Sequence, residues 1–182
     1  ASLLIAAGAR GQTGWPDRAV RIIVPYPAGG STDVLARILA ERLNAMYGQP
    51  FVIENRPGAG GNIGIATVTT SAPDGYPVGA ATIGHFAINQ FLYKPMPYDP
   101  QRDMIPASMN WELPNVFVVA SEHVPAKSVA EFVGWARQKG KLNFGSPGVG
   151  TSPHLSGVLF ARRSGLDAVH VPFRGAAQTI PA

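Results

Sequence analysis

The sequence predicts an α/β fold arranged as two lobes, and three observations carry that reading. Near the start, a short β-branched run, Val20-Arg21-Ile22-Ile23-Val24, feeds a Pro/Gly loop, an amphipathic helix and a second short apolar run. This is the pattern of a βαβ unit. Residues 142–171 repeat the logic without a strict sequence repeat: strand, Gly/Pro loop, hydroxyl-capped helix, strand. Finally, 182 residues with 46% hydrophobic content are ample for an interior, so the chain is not intrinsically disordered. Two such units imply two α/β lobes meeting near residues 110–120, with residues 15–113 in the first and 114–182 in the second.

Taken in order, Ser2-Leu3-Leu4-Ile5-Ala6-Ala7-Gly8-Ala9 is short, apolar and ends in a small-x-small pattern. It reads as the end of an export signal cut after Ala9, or as a loose tail, so residues 1–14 are set apart from the lobes. After Val24, two prolines and two glycines forbid helix until Ser31 or Thr32, either of which is suited to cap a helix running from Asp33 to Tyr47. Val34, Leu35, Ile38, Leu39, Leu43 and Met46 recur there at helical spacing, and Gly48 and Pro50 end it. Phe51–Glu54 is the second strand. The loop 57–62 precedes a helix to about Ser71, and Pro73-Asp74-Gly75 is a turn. Pro77–Ile83 reads as a strand of small residues, His85–Leu92 as a short helix and residues 93–103 as a surface loop. Met104–Met109 and Asn115–Ala120 read as two further strands. Ser128 caps a helix to Arg137, with Glu131 completing a capping box. Leu142–Phe144 is a strand, and a helix follows from Pro153 to about Arg163 with Ser152 as its cap. Ala168–Val171 is the last strand.

Composition removes whole classes of function. There is no cysteine, hence no disulfide scaffold, thiolate metal site or cysteine nucleophile. No apolar run approaches the roughly 18–20 residues that span a bilayer. Glycine and proline number 21 and 17, without a collagen period. The net charge of +4 is spread thinly along the chain. That argues against a nucleic-acid partner and mildly for a small anionic one. The carboxylates and the four histidines lie at no metal-ligand spacing, so no metal or cofactor is expected. Gly58 to Gly64 matches a dinucleotide fingerprint only loosely, because Ile63 occupies the third glycine position. That loop reads as a close-packing device.

Two loops bear chemistry. Tyr26 to Asp33 follows a parallel strand and leads into a helix N-terminus, where unpaired N–H groups and the macrodipole favour an anion. Gly145 to His154 has the same design, with three glycines and three hydroxyls. Each also reads as a purely structural turn. A serine–histidine hydrolase using Ser146 or Ser152 with His154 is a further alternative, weakened by the lack of a third partner.

The motif run then carries a family likeness. Trp15-Pro16-Asp17-Arg18, Val24-Pro25-Tyr26-Pro27-Ala28-Gly29-Gly30-Ser31-Thr32-Asp33, Glu54-Asn55-Arg56-Pro57-Gly58-Ala59-Gly60-Gly61-Asn62, Ala72-Pro73-Asp74-Gly75-Tyr76, Gly150-Thr151-Ser152-Pro153-His154 and His170-Val171-Pro172-Phe173-Arg174-Gly175 occur in this order. Together they resemble the substrate-binding proteins of tripartite tricarboxylate transporters, the Bug family of extracytoplasmic solute receptors. The resemblance implies a type II-like periplasmic binding protein: two α/β lobes around a cleft that captures a small carboxylate. Such a protein is not an enzyme. It is exported to the periplasm of a Gram-negative bacterium and hands its ligand to membrane components of the transporter. Di- and tricarboxylates, acidic amino acids and aromatic acids are the ligand classes implied. The resemblance assigns ligand contacts to Tyr26, Ala28, Gly29, Gly30, Ser31, Thr32 and Asp33 from the first lobe. Ser146, Thr151, Ser152 and His154 come from the second, and His85, Phe86, Phe173 and Arg174 from segments that approach the cleft. The family pattern continues beyond residue 182, so the expectation is a C-terminally truncated second lobe, with a ligand-incompetent protein as the alternative outcome.

Overall fold

The computed structural model describes residues 14–181. The expected export segment at residues 2–9 lies outside them. The first lobe is a three-stranded parallel sheet of β1 (Val20–Val24), β2 (Phe51–Asn55) and β3 (Pro77–Gly79), in the order β2-β1-β3. Helices α1 (Ser31–Tyr47) and α2 (Asn62–Thr69) make the crossovers. β1 is central, and Arg21 alone among its residues is exposed. Alternation puts Val20, Ile22 and Val24 on one face, packed with Ala36 and Ala40 of α1 and with Phe51. Burying each such aliphatic side chain stabilises the fold by about 1.5–3 kcal/mol. A methyl group on Gly79 of β3 would touch Ile65 and Val68 of α2, so that strand stays thin where the helix crosses it.

The second lobe pairs β4 (Leu142–Ser146) with β5 (Ala168–Pro172) in parallel, spanned by α5 (Ser152–Ser164) and preceded by α4 (Val129–Lys139). The register sets Phe144 opposite His170 and Ser146 opposite Pro172. A short helix, α6 (Ala176–Thr179), follows. The cap of α4 forms as expected, with Ser128 Oγ accepting the Glu131 N–H at 3.2 Å, but the Glu131 carboxylate closes the box one residue early, accepting the Lys127 N–H at 2.8 Å.

Several elements differ from expectation. Met104–Met109 and Asn115–Ala120 join no ladder; among the described residues all strands belong to the two sheets above. Their β-prone residues pair with neither sheet, although each sheet keeps open edges. Phe117 instead packs on Phe132 and Phe160, from α4 and α5, with ring centroids 4.9 and 5.2 Å away. Apolar composition favours a strand only where a partner exists. The expected strand to Ile83 stops at Gly79, because the chain turns into a π-helical segment, Gly84–Ile88, that runs on as α3 (Asn89–Leu92). Two caps also move. Gly30, with no side chain, is the N-cap of α1, and Thr151 rather than Ser152 is the N-cap of α5, accepting the His154 N–H at 3.4 Å. In this linking region Trp111 still packs on the first core, whereas the Asn115 side chain is already bonded to Ser152 and Ser156 of α5.

Candidate functional site

A cleft of about 390 Å³ lies where the two lobes meet. Pro25, Tyr26, the 57–61 loop and Tyr93 wall it from the first lobe. Pro147, Gly148, Val149, Pro172, Phe173 and Arg174 wall it from the second. Both contributions issue from the carboxyl ends of parallel strands, the usual place for a ligand in an open α/β sheet. Among the described residues, Arg174 is the one cation in the lining and no carboxylate lines it. An anion is the charge such a site accepts.

The two walls touch through backbone. A Cβ on Gly60 would lie 2.6 Å from both the Val149 carbonyl oxygen and the Tyr93 hydroxyl, and one on Gly84 would lie 3.0 Å from the Gly150 carbonyl oxygen. The Tyr93 hydroxyl donates to the Val149 carbonyl at 2.9 Å, tying one lobe to the other.

The loop 26–33 is held from within. Asp33, 2% exposed, accepts the Gly29 N–H at 2.9 Å, the Asn55 side-chain amide at 2.8 Å and both arms of Arg37 at 3.0 Å. The same Asn55 amide donates to the Tyr26 carbonyl at 3.0 Å. Burial opposes ionisation of Asp33, but these donors outweigh it and hold its carboxyl below the usual range. Its carboxylate therefore serves the loop, and a helix N-terminus also suits its charge. Of the expected first-lobe contacts, Tyr26 lines the cleft, whereas Ala28, Gly29, Gly30, Ser31, Thr32 and Asp33 are not among its lining residues. Gly29 and Gly30 instead face Ala177 and Ala176 of α6.

His85 is fully buried beneath the cleft floor. Its Nδ1 accepts the Thr82 N–H at 3.0 Å, and its Nε2, with no hydrogen-bond partner of good geometry, abuts Gly61. Burial pushes its pKa down to about 4, with the nearby Gly60 backbone opposing this weakly. Phe86 is half-buried beside it and outside the lining. Around His85 runs a polar cluster. Asn62 Oδ1 receives the Asn89 amide at 2.7 Å and the Tyr98 hydroxyl at 2.9 Å, and Tyr26 Oη meets Thr82 Oγ1 at 3.2 Å. Burial raises both phenols, that of Tyr98 to about 12. Asn62 is buried in this cluster.

In the second lobe, Ser146 is 1% exposed. Its hydroxyl pairs with His170 Nε2 at 2.6 Å, not with His154. Ser146 and His170 are diagonal neighbours on one face of the β4–β5 pair, a relation set by register and invisible in sequence spacing. Thr151 caps α5 and donates to the Gly148 carbonyl at 2.7 Å, and Ser152 is bonded to Asn115. Phe173 and Arg174 line the cleft directly. Sequence reading missed His170, Tyr93 and Asn55. Each acts across more than fifteen residues of chain, and only the family motif in which each stands marked it at all.

The chain matches the profile of the tripartite tricarboxylate transporter family receptors over residues 35–182. It belongs to that family. It is 35% identical over 167 residues to a UPF0065 protein from the tcbD–tcbE intergenic region of Pseudomonas sp. strain P51, covering 91% of this chain and 49% of that one. Among solved receptor structures, an adipate-bound protein from R. palustris shares 38% identity with a TM-score of 0.81. Malate-bound MatC from Rhodopseudomonas palustris shares 26% with a TM-score of 0.72. These cover 92% of this chain and 56–57% of theirs. The chain thus spans about half the length of the tricarboxylate-receptor relatives it matches, and the two-lobed periplasmic binding protein fold is the family's own.

Proposed function

We propose that this chain captures a small carboxylate in the interlobe cleft. It does so as part of a periplasmic receptor that delivers the solute to the membrane components of a tripartite tricarboxylate transporter. The observation that carries the reading is the lining of the cleft: bare backbone on both walls, two tyrosines, one phenylalanine, one arginine and no carboxylate. Arg174 supplies the charge, in a geometry able to grip a carboxylate with two parallel bonds. Tyr26, Tyr93 and Phe173 give the body of the ligand an apolar surface. The residues of the 28–33 and 151–154 turns contribute helix-end polarity and loop shape. Adipate and malate, held by two neighbours, are both small dicarboxylates of a size such a cleft admits.

Binding without bond chemistry is the fitting activity, because Ser146 is buried and its hydroxyl is engaged with His170 and the Gly148 backbone. Export through the segment at residues 2–9 belongs to the same reading. Native mass spectrometry of the purified protein tests it, followed by calorimetric titration with adipate and malate. A co-purified acid or saturable heat supports the receptor. Neither an acid nor heat from any member of a carboxylate panel refutes it.

A further inference from the structure

The second wall of the cleft is held in shape by two histidines that do not line it. His154, in the first turn of α5, and His170, on β5, stack with ring centroids 4.1 Å apart and planes 33° from parallel. His154 Nδ1 accepts the Gly150 N–H at 3.3 Å. His170 Nε2 meets the Ser146 hydroxyl, which also accepts the Gly148 N–H at 3.2 Å. Between these two anchors lie Pro147, Gly148 and Val149, which form the wall, and the Val149 carbonyl receives Tyr93 from the first lobe. The lobe-to-lobe tie is therefore seated on a segment whose ends are pinned by imidazoles.

The two pins respond differently to a proton. If His170 is protonated, Nε2–H donates to the Ser146 oxygen, and that hydroxyl turns its own hydrogen to the Gly148 carbonyl 3.2 Å away. The contact survives. His154 has no such exchange. Its Nδ1 can accept the Gly150 N–H only while unprotonated, and a proton there sets two donors against each other. We propose that His154 is a positioning residue that ties ligand capture to pH: the neutral ring fixes the 147–150 wall for closure on the ligand, and the cation releases it. This rests on the receptor reading above.

The surroundings favour the neutral form. Phe144 from β4 lies 5.0 Å from the His170 ring, and Ser146 and the Gly150 amide complete the polar contacts. Among the described residues neither ring forms an ion pair with a carboxylate, and Arg174, just past the end of β5, is exposed at the cleft. Burial lowers both imidazoles, and the charge on His154 lowers His170 further. Groups depressed in this way contribute stability that is present above the free histidine value of about 6.5. It is lost as pH falls through the folded value.

The test uses the full chain, 15N-labelled at glycine and free of ligand, between pH 8 and 5. The protection factor of the Gly150 amide is followed beside the ring signal of His154. Protection is expected to fall in step with protonation of that ring, while Gly61 and Gly64 in the first lobe stay protected. In His154→Asn, which keeps an acceptor oxygen and cannot protonate, Gly150 is expected to remain protected throughout. Adipate is the binding probe. Its affinity is expected to drop towards pH 5 more steeply in the wild type than in His154→Asn, by up to about tenfold per pH unit below the ring's midpoint. The ligand's own titration is common to both proteins and cancels. Gly150 protection that ignores the His154 titration, or a pH response that persists in His154→Asn, overturns the proposal. Should that variant not fold, the wild-type pair of curves decides. Failure of both adipate and malate to bind at every pH counts against the receptor reading and is separate from the amide result.

Discussion

Replacing Gly60 with alanine puts a methyl group 2.6 Å from the Val149 carbonyl oxygen, a backbone atom of the opposite lobe, and equally close to the Tyr93 hydroxyl. Gly60 also has φ of 63°. Two costs follow. Left-handed backbone costs an L-residue about 1–2 kcal/mol. Losing the Tyr93–Val149 hydrogen bond costs about 0.5–1.5 kcal/mol. Their sum is about 1.5–3.5 kcal/mol against the form in which the lobes touch. Gly60→Asn separates the two costs, because asparagine tolerates the left-handed region but keeps the collision. Tyr93→Phe removes the hydrogen bond alone. Urea denaturation and small-angle scattering on the three variants are the assay. Both Gly60 variants should show a larger radius of gyration, and Gly60→Ala the lower stability. A Gly60→Ala protein within about 0.5 kcal/mol of the wild type, with unchanged dimensions, would show that the lobes do not meet at this point.

Three other outcomes are expected. Asp33→Ala removes a buried carboxylate with three different donors and should cost about 2–3 kcal/mol in a denaturant melt; in the wild type, its contribution is present above the free carboxyl value and is lost as pH falls through its lowered folded value. His85 should stay neutral by ring NMR from pH 8 down to about 5, and its burial should withdraw about 3 kcal/mol of stability as pH falls from 6.5 towards 4, seen as steeper acid unfolding than in His85→Gln. Arg174→Ala should weaken adipate binding at least tenfold while leaving the thermal midpoint within about a degree, since its side chain forms no ion pair among the described residues.

What could be read from the chain beforehand was what neighbouring residues decide. The βαβ unit at 20–55, the capping box at Ser128 and the paired strands around α5 all declare themselves by periodicity, caps and stop signals a few residues apart. The run Val116–Val119 has the composition of a strand, yet a strand forms only where a pairing is made, and sequence does not say which of the open edges will be paired. The cap of α5 slipped by one residue because Thr151 and Ser152 are chemically equivalent choices, and only the geometry of the preceding turn selects between them. At the site, the Pro/Gly loops were legible because bare backbone must be encoded as glycine. The residues that brace those loops were not. Asn55 bridges Tyr26 to Asp33, His170 reaches Ser146, and Tyr93 crosses to Val149, each through a relation created by folding.

The seam between the lobes has a kinetic consequence. At Gly60 and Gly84 main chain lies against main chain across the seam, and at Gly150 it lies against the Asn89 and Tyr93 side chains, so glycines carry much of the contact that must part when the halves separate. Among the described residues, parting them breaks one hydrogen bond, from Tyr93 to the Val149 carbonyl. A joint built this way moves without repacking its interior. In the receptor proposed above, solute uptake would then be governed by how often the solute meets the open mouth, rather than by how long the protein takes to rearrange around it.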